Sequence, residues 1–128
     1  MILKPLSDVT SISGLRRFVR EFAERAVNRV YSLGCPVGTL SMQLAREEHH
    51  LHDEVTSVLD SVRAAFADAL QRIRDRGRLR RGVDIDVTAT FLVGVFQGGL
   101  ALGRIYRDPT LMKTVLRQAD GYIKELAA

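Results

Sequence analysis

Between residues 47 and 54 the chain gathers Glu47, Glu48, His49, His50, His52, Asp53 and Glu54, the densest set of metal-ligating side chains it has. On a helix Glu48 and His52, or His49 and Asp53, share one face, the spacing that a zinc or iron site uses. No second cluster completes a tetrahedral site, and surface clusters of this composition commonly mark a solvated turn. The preferred reading is therefore a polar turn with no metal and no cofactor. A small metal-dependent enzyme built on this cluster is the competing reading, and its mark would be stoichiometric metal lost on replacing His49 and His52. A second group is basic: Arg72, Arg74, Arg76, Arg78, Arg80 and Arg81, offset only by Asp75. Phosphate attracts such a run, yet no aromatic residues interleave to stack bases. The plainer reading is a helix C-terminus whose dipole favours cations, followed by a wet loop. An Arg-driven nucleic-acid binder remains the third reading, with salt-dependent binding as its signature. No Ser, His and Asp set and no Gly-rich phosphate loop can be assembled, so no catalytic residue is assigned.

The elements that carry these groups read as helices throughout. Leu15, Phe18, Val19, Phe22, Ala26, Val30 and Leu33 recur at steps of three and four, predicting a helix from Ser13 to Leu33 that Gly34 stops. Pro36 opens a shorter helix over about Val37 to Arg46, burying Leu40 and Leu44, with Met42 to one side. A third runs from Leu51 or Asp53 to Arg76 on the stripe Val55, Val58, Leu59, Val62, Phe66, Ala69, Leu70 and Ile73, and Gly77 ends it. Asp84 is placed to cap a fourth helix reaching Tyr106, and Asp108 with Pro109 opens a fifth through about Leu126. No stretch alternates with period two. The expectation is an all-α bundle of about five helices without a sheet.

Composition narrows the class. The 128 residues form one domain, 46% of them hydrophobic and 27% charged, which excludes disorder and an integral membrane protein. The longest nearly uncharged apolar stretch, Thr88 to Gly103, reads as too short for the roughly 20 residues that span a bilayer. Cys35 is the single cysteine, so an internal disulfide is impossible. Lys4 and Pro5 interrupt the start before an apolar signal-peptide core can form, and a reduced, cytoplasmic protein is expected. Sixteen of the 19 basic residues are Arg, and a net charge of +4 permits an acidic partner without demanding one.

The fourth helix carries the most information. It is apolar on nearly every side, which in a water-soluble bundle demands neighbours on several faces. It also holds Gly94, Gly98, Gly99 and Gly103, each costing about 1 kcal/mol relative to alanine in a helix interior. Either backbones pack unusually close across these positions, or room is left for a bound molecule. The last two helices together suggest a self-complementary surface in which a two-fold dimer forms a four-helix interface. The alternative is that both simply form the core of a single chain.

Taken together, Gly34-Cys35-Pro36-Val37-Gly38-Thr39-Leu40, the long helix ending at Gly77, Val83-Asp84 and the run Phe96-Gln97-Gly98-Gly99-Leu100-Ala101 resemble the C-terminal regulatory domain of tetracycline-repressor (TetR) family transcription regulators. The resemblance covers about Leu15 to Leu126. It implies a domain that binds a small effector among its helices, dimerises through its last two helices and changes the spacing of two N-terminal DNA-binding heads. It also implies that Cys35 is a small packing residue. The family's head is a helix-turn-helix unit of about fifty residues, and Met1 to Ile12 is only a short leader. DNA is thus expected as a partner only through a head absent from these 128 residues, with residues 13–127 forming the regulatory domain. The expected pocket lining is Phe18, Phe22, Val62, Phe66, Phe91 and Val95 with Met42 as an adaptable wall, suited to a hydrophobic or aromatic effector. These side chains could equally be a filled core. The expected homodimer interface uses Gln97, Leu100, Arg104, Val115, Ala119 and Tyr122. Gln97, the one conspicuous polar group in an apolar run, could also hydrogen-bond a ligand or a buried carbonyl.

Overall fold

The computed structural model describes residues 3–27 and 49–128. Among the described residues there are five helices: α1 (Leu3–Ser7), α2 (Ile12–Val27), α3 (His49–Asp75), α4 (Ile85–Ile105) and α5 (Pro109–Lys124). The all-α expectation holds, and among the described residues the one β feature is an isolated antiparallel bridge between Leu79 and Ala127. The segment expected as a helix over Val37 to Arg46, with Met42 and Cys35 beside it, lies outside the described residues, as does the end of the first expected helix beyond Val27.

The helices α2 to α5 are fixed by the patterns that predict them. In α2, Leu15, Phe18, Val19 and Ala23 turn inward at steps of three and four while Arg17, Arg20, Glu21 and Glu24 face water. The α3 stripe Phe66, Ala69, Leu70 and Ile73 is buried, and Gly77 follows at φ +71°, a left-handed conformation that costs other residues a steric clash. Asp84 caps α4 by accepting a hydrogen bond from the Val87 backbone at 3.1 Å. Packed on one another, α4 lies against α3 and α5, α2 against α5, and α1 against α3. The core between them holds Leu6, Leu15, Phe18, Phe66, Leu70, Leu92, Phe96, Met112, Leu116 and Ile123.

Two segments differ from their sequence reading. The leader forms α1 and packs into the core through Leu6 and Val9, because Arg72 of α3 donates to the carbonyls of Val9 and Leu6 at 2.9 and 3.0 Å. Arg74 likewise donates to the Val83 carbonyl. Both arginines of the basic run that lie within α3 therefore clamp backbone carbonyls rather than standing as free charges. The connector after Gly77 is also not all wet loop. Leu79 and Val83 are buried, and the connector pairs with the chain end through Arg80 N to Leu126 O at 2.8 Å and Ala128 N to Arg78 O at 2.9 Å. Arg76, Arg78, Arg80 and Arg81 remain exposed.

The apolar helix is longer than its uncharged stretch suggests. At 21 residues and a mean hydropathy of 1.6 over its most apolar window, α4 reaches the length and composition that could cross a membrane. Ile85, Val87 and Ile105 lie beyond the stretch counted from Thr88 to Gly103, which explains the difference. Here one side of α4 is instead covered by α3 and α5.

Across the bundle, Arg16 ties α2 to α5 with a two-pronged contact: Nε donates to Asp120 Oδ1 at 2.9 Å and Nη2 to Oδ2 at 3.3 Å. At the start of α5, Asp108 accepts from the Thr110 amide at 2.9 Å and from the Thr110 hydroxyl. These bonds favour the ionised form and hold the Asp108 carboxyl below the usual carboxylate range, its side-chain bond to Thr110 acting most strongly. A lowered folded-state pKa means the cap contributes fully above the unfolded value, about 3.9, and is lost as pH falls through the lower folded value. Acid melts of the native chain should therefore steepen below about pH 4, and Asp108→Asn, which caps without titrating, should flatten that part of the profile. Identical acid profiles would contradict this assignment.

Candidate functional site

Four phenylalanines from three helices meet in the core. Phe18 and Phe22 of α2 have ring centroids 6.2 Å apart, and Phe18 lies 6.1 Å from Phe66 of α3 and 6.2 Å from Phe96 of α4. Phe96 completes the cluster at 5.0 Å from Phe22 and 5.4 Å from Phe66. Offset and edge contacts at these spacings favour aromatic pairs by about 0.5–1.5 kcal/mol beyond the area they bury. Phe18, Phe66 and Phe96 are closed off from solvent, whereas Phe22 and Val62, both packed on the core, remain half-buried. Three of the four rings are residues expected to line a pocket, and the fourth, Phe96, belongs to the run that carries the family resemblance but not to that expected lining.

Phe96 occupies the place the sequence reading gave to Phe91, and the structure puts Phe91 elsewhere. It packs on Tyr122 of α5, centroids 4.7 Å apart, with both rings at the surface. Five residues on, Phe96 is turned by about 140° around the helix axis, which carries it to the core. Val95, half-buried beside Phe91's face, is not brought to the cluster either. Because α4 is apolar all round, its periodicity left the rotation of the helix undetermined.

That outer side of α4 is the second feature. Val87 (64% exposed), Phe91 (47%), Leu102 (40%) and Ile105 (73%) form one stripe, with Gly94 and Gly98 between them at steps of three and four. A Cβ added at Gly94 or Gly98 would meet nothing within 4 Å. Gly99, by contrast, is explained within the chain: a Cβ there would stand 3.2 Å from Val115 Cγ1, so its absence lets α5 approach α4 closely. Gly103 is likewise buried. The four glycines thus divide: Gly99 serves the α4–α5 contact, Gly103 is buried, and Gly94 and Gly98 open onto the exposed stripe.

The residues expected at a dimer interface divide as well. Tyr122 lies on the exposed stripe beside Phe91, and Val115 is half-buried against Gly99. Leu100 and Ala119 are buried inside the protomer, and Arg104 is half-buried with a partner of its own. Gln97 is half-buried, and its side-chain oxygen Oε1 is buried without a hydrogen-bond partner among the described residues. The signal for Val87, Leu102 and Ile105 was present in the sequence as the continuation of the Phe91 stripe at helical spacing.

Of the acidic and histidine cluster, Glu47 and Glu48 lie outside the described residues, as do the side chains of His49 and His50. His52, Asp53 and Glu54 are exposed on the first turns of α3. Among the described residues no group of three His, Cys, Asp or Glu side chains is arranged to hold a metal.

Comparison with known proteins agrees with this architecture. No curated protein matches the sequence. Among solved structures, a TetR transcriptional regulator from Chloroflexus aurantiacus J-10-FL superposes with a TM-score of 0.73 at 24% identity, covering 89% of this chain and 56% of that one. The chain therefore spans little more than half the length of that regulator. Residues 11–119 match the family described as tetracyclin repressor-like, C-terminal domain. With most of its length so matched and the same all-α fold, the chain belongs to the tetracyclin repressor-like C-terminal domain family.

Proposed function

We propose that this chain is the effector-binding and dimerisation domain of a TetR-type transcription regulator, without catalytic activity of its own. The observation that carries the reading is the outward face of α4. An uninterrupted apolar stripe along a 21-residue helix, with two glycines that leave room for a second backbone, is what a two-fold homodimer covers. The fold's half-length relation to a full regulator supports a further part that reads DNA through a helix-turn-helix, so operator contact belongs to that part rather than to these residues. Such a regulator works in the cytoplasm, where a twin subunit over the outward α4 face would keep that apolar surface from water.

Effector binding is assigned to the aromatic cluster, at its half-buried members Phe22 and Val62. An apolar or aromatic small molecule suits these walls. Met42 and Gln97 are proposed as lining residues, Gln97 because its buried oxygen lacks a donor that a ligand hydroxyl or amide would supply. Binding shifts the population between arrangements of the helices around the cluster and so moves whatever is attached to α1. A thermal-shift panel of neutral aromatic compounds tests this: binders should raise the melting temperature, and Phe22→Ser should remove the shift. A panel that leaves the native chain unmoved contradicts the pocket.

The glycines give the dimer a test of sign. In an isolated helix Gly98→Ala gains about 1 kcal/mol of helix propensity. In a close two-fold contact the added methyl holds the backbones apart, so the dimer should dissociate at least tenfold more readily. A higher melting temperature with unchanged self-association would contradict the interface.

A further inference from the structure

A recess of about 240 Å³ lies between α2 and α5, away from the aromatic cluster and on the opposite flank of α5 from Val115 and Tyr122. Its floor is apolar, formed by Val19, Ala23 and Leu116, all buried. Its rim carries three cations, Arg20, Lys113 and Arg117, against two carboxylates, Glu24 and Asp120. Both carboxylates are engaged. Asp120 is gripped by Arg16 from outside the recess, with Arg20 only grazing it at 3.6 Å, and Glu24 stands 3.3 Å from Lys113. Arg117 is exposed and has no carboxylate partner among the described residues.

We propose that this recess is a second binding site, for a compact organic carboxylate whose apolar body rests on Val19, Ala23 and Leu116 while Arg117 and Arg20 hold its charge. The combination is specific in chemistry. A guanidinium presents a planar pair of donors that matches a carboxylate, and two such groups flank one apolar floor. The rim's three cations face two carboxylates, an excess of one positive charge that a monoanion balances. The volume is below the roughly 300–1,000 Å³ of sites for drug-sized molecules, which limits the ligand to about the size of a single ring. Since the recess bridges α2 and α5, an occupant would pin those two helices together without touching the α4 stripe. The site is independent of the effector and dimer assignments and can fail without them.

Benzoate is the probe. Titrated at low ionic strength into the 128-residue chain, it should perturb the Arg117 and Arg20 Nε–Hε resonances and the Leu116 methyl groups in NMR spectra. Arg117→Gln, an exposed change that leaves the melting temperature in place, should weaken binding at least tenfold. Glu24→Gln should tighten it severalfold by freeing Lys113, an outcome that a damaged fold does not produce. Benzamide and inorganic phosphate, lacking the charge and the apolar body respectively, should each bind at least tenfold more weakly than benzoate. The proposal is overturned by the absence of shifts at millimolar benzoate, by shifts centred on Phe22 and Phe96, by unchanged affinity in Arg117→Gln or Glu24→Gln, or by benzamide or phosphate binding as tightly.

Discussion

Replacing Phe91 by glutamate should convert a dimer into folded single chains. Phe91 is half exposed on the protomer, so a carboxylate there costs the isolated fold little beyond its contact with Tyr122. Within the proposed interface the same carboxylate would be buried among Val87, Leu102 and Ile105 of a twin helix, where no cation lies on the stripe to pair with it. Burying an unpaired charged group costs several kcal/mol, and two-fold symmetry imposes the cost twice. A dissociation constant raised by roughly a thousandfold or more is the expected result, about 4 kcal/mol at ten-fold per 1.4 kcal/mol. Val58→Glu is the control. Val58 is equally exposed at 47% but lies on α3, away from the stripe, so its variant should remain dimeric. Sedimentation separates the two variants, and circular dichroism should report unchanged helix content in both. If Phe91→Glu and Val58→Glu behave alike, the stripe is not an interface.

The largest effect on stability should come from Phe66→Ala. Phe66 is fully buried at the centre of the aromatic cluster, edge-on to Phe18 and 5.4 Å from Phe96. Truncating such a ring removes its transfer energy and leaves a cavity that packed helices close only partly, a cost of about 3–5 kcal/mol. Against a total stability of roughly 5–15 kcal/mol this is a large share. The melting temperature should fall by about 10–25 °C, on the scale of several degrees per kcal/mol for a domain of this size. Phe22→Ala, at the half-buried edge of the same cluster, should cost clearly less. Denaturant titration checks both. Equal losses from the two variants would mean that Phe22 is as much a core residue as Phe66, and the pocket would lose its open side.

Much of the fold is legible in the residues because caps and stripes act locally. Asp84 and Asp108-Pro109 set the starts of α4 and α5, Gly77 sets the end of α3, and the α2 and α3 stripes name their own buried faces. The rotation of α4 is not legible, because a helix that is apolar all round carries no phase. Phe91 and Phe96 look alike in the sequence, and their roles separate only once α3 and α5 have chosen a side. The burial of Leu79 among arginines is equally hidden, since it depends on a backbone bridge to Ala127, 48 residues away. The α1 clamp has the same origin: Arg72 reads as surface charge until the carbonyls of Leu6 and Val9 arrive from the other end of the chain. The recess between α2 and α5 is similarly a product of two distant stripes meeting.

Sedimentation equilibrium of the unaltered 128-residue chain at micromolar concentration tests the central assignment most directly. A twin subunit covering Val87, Phe91, Gly94, Gly98, Leu102 and Ile105 predicts twice the single-chain mass. Single chains with full native helicity at that concentration would leave the stripe uncovered and contradict the account.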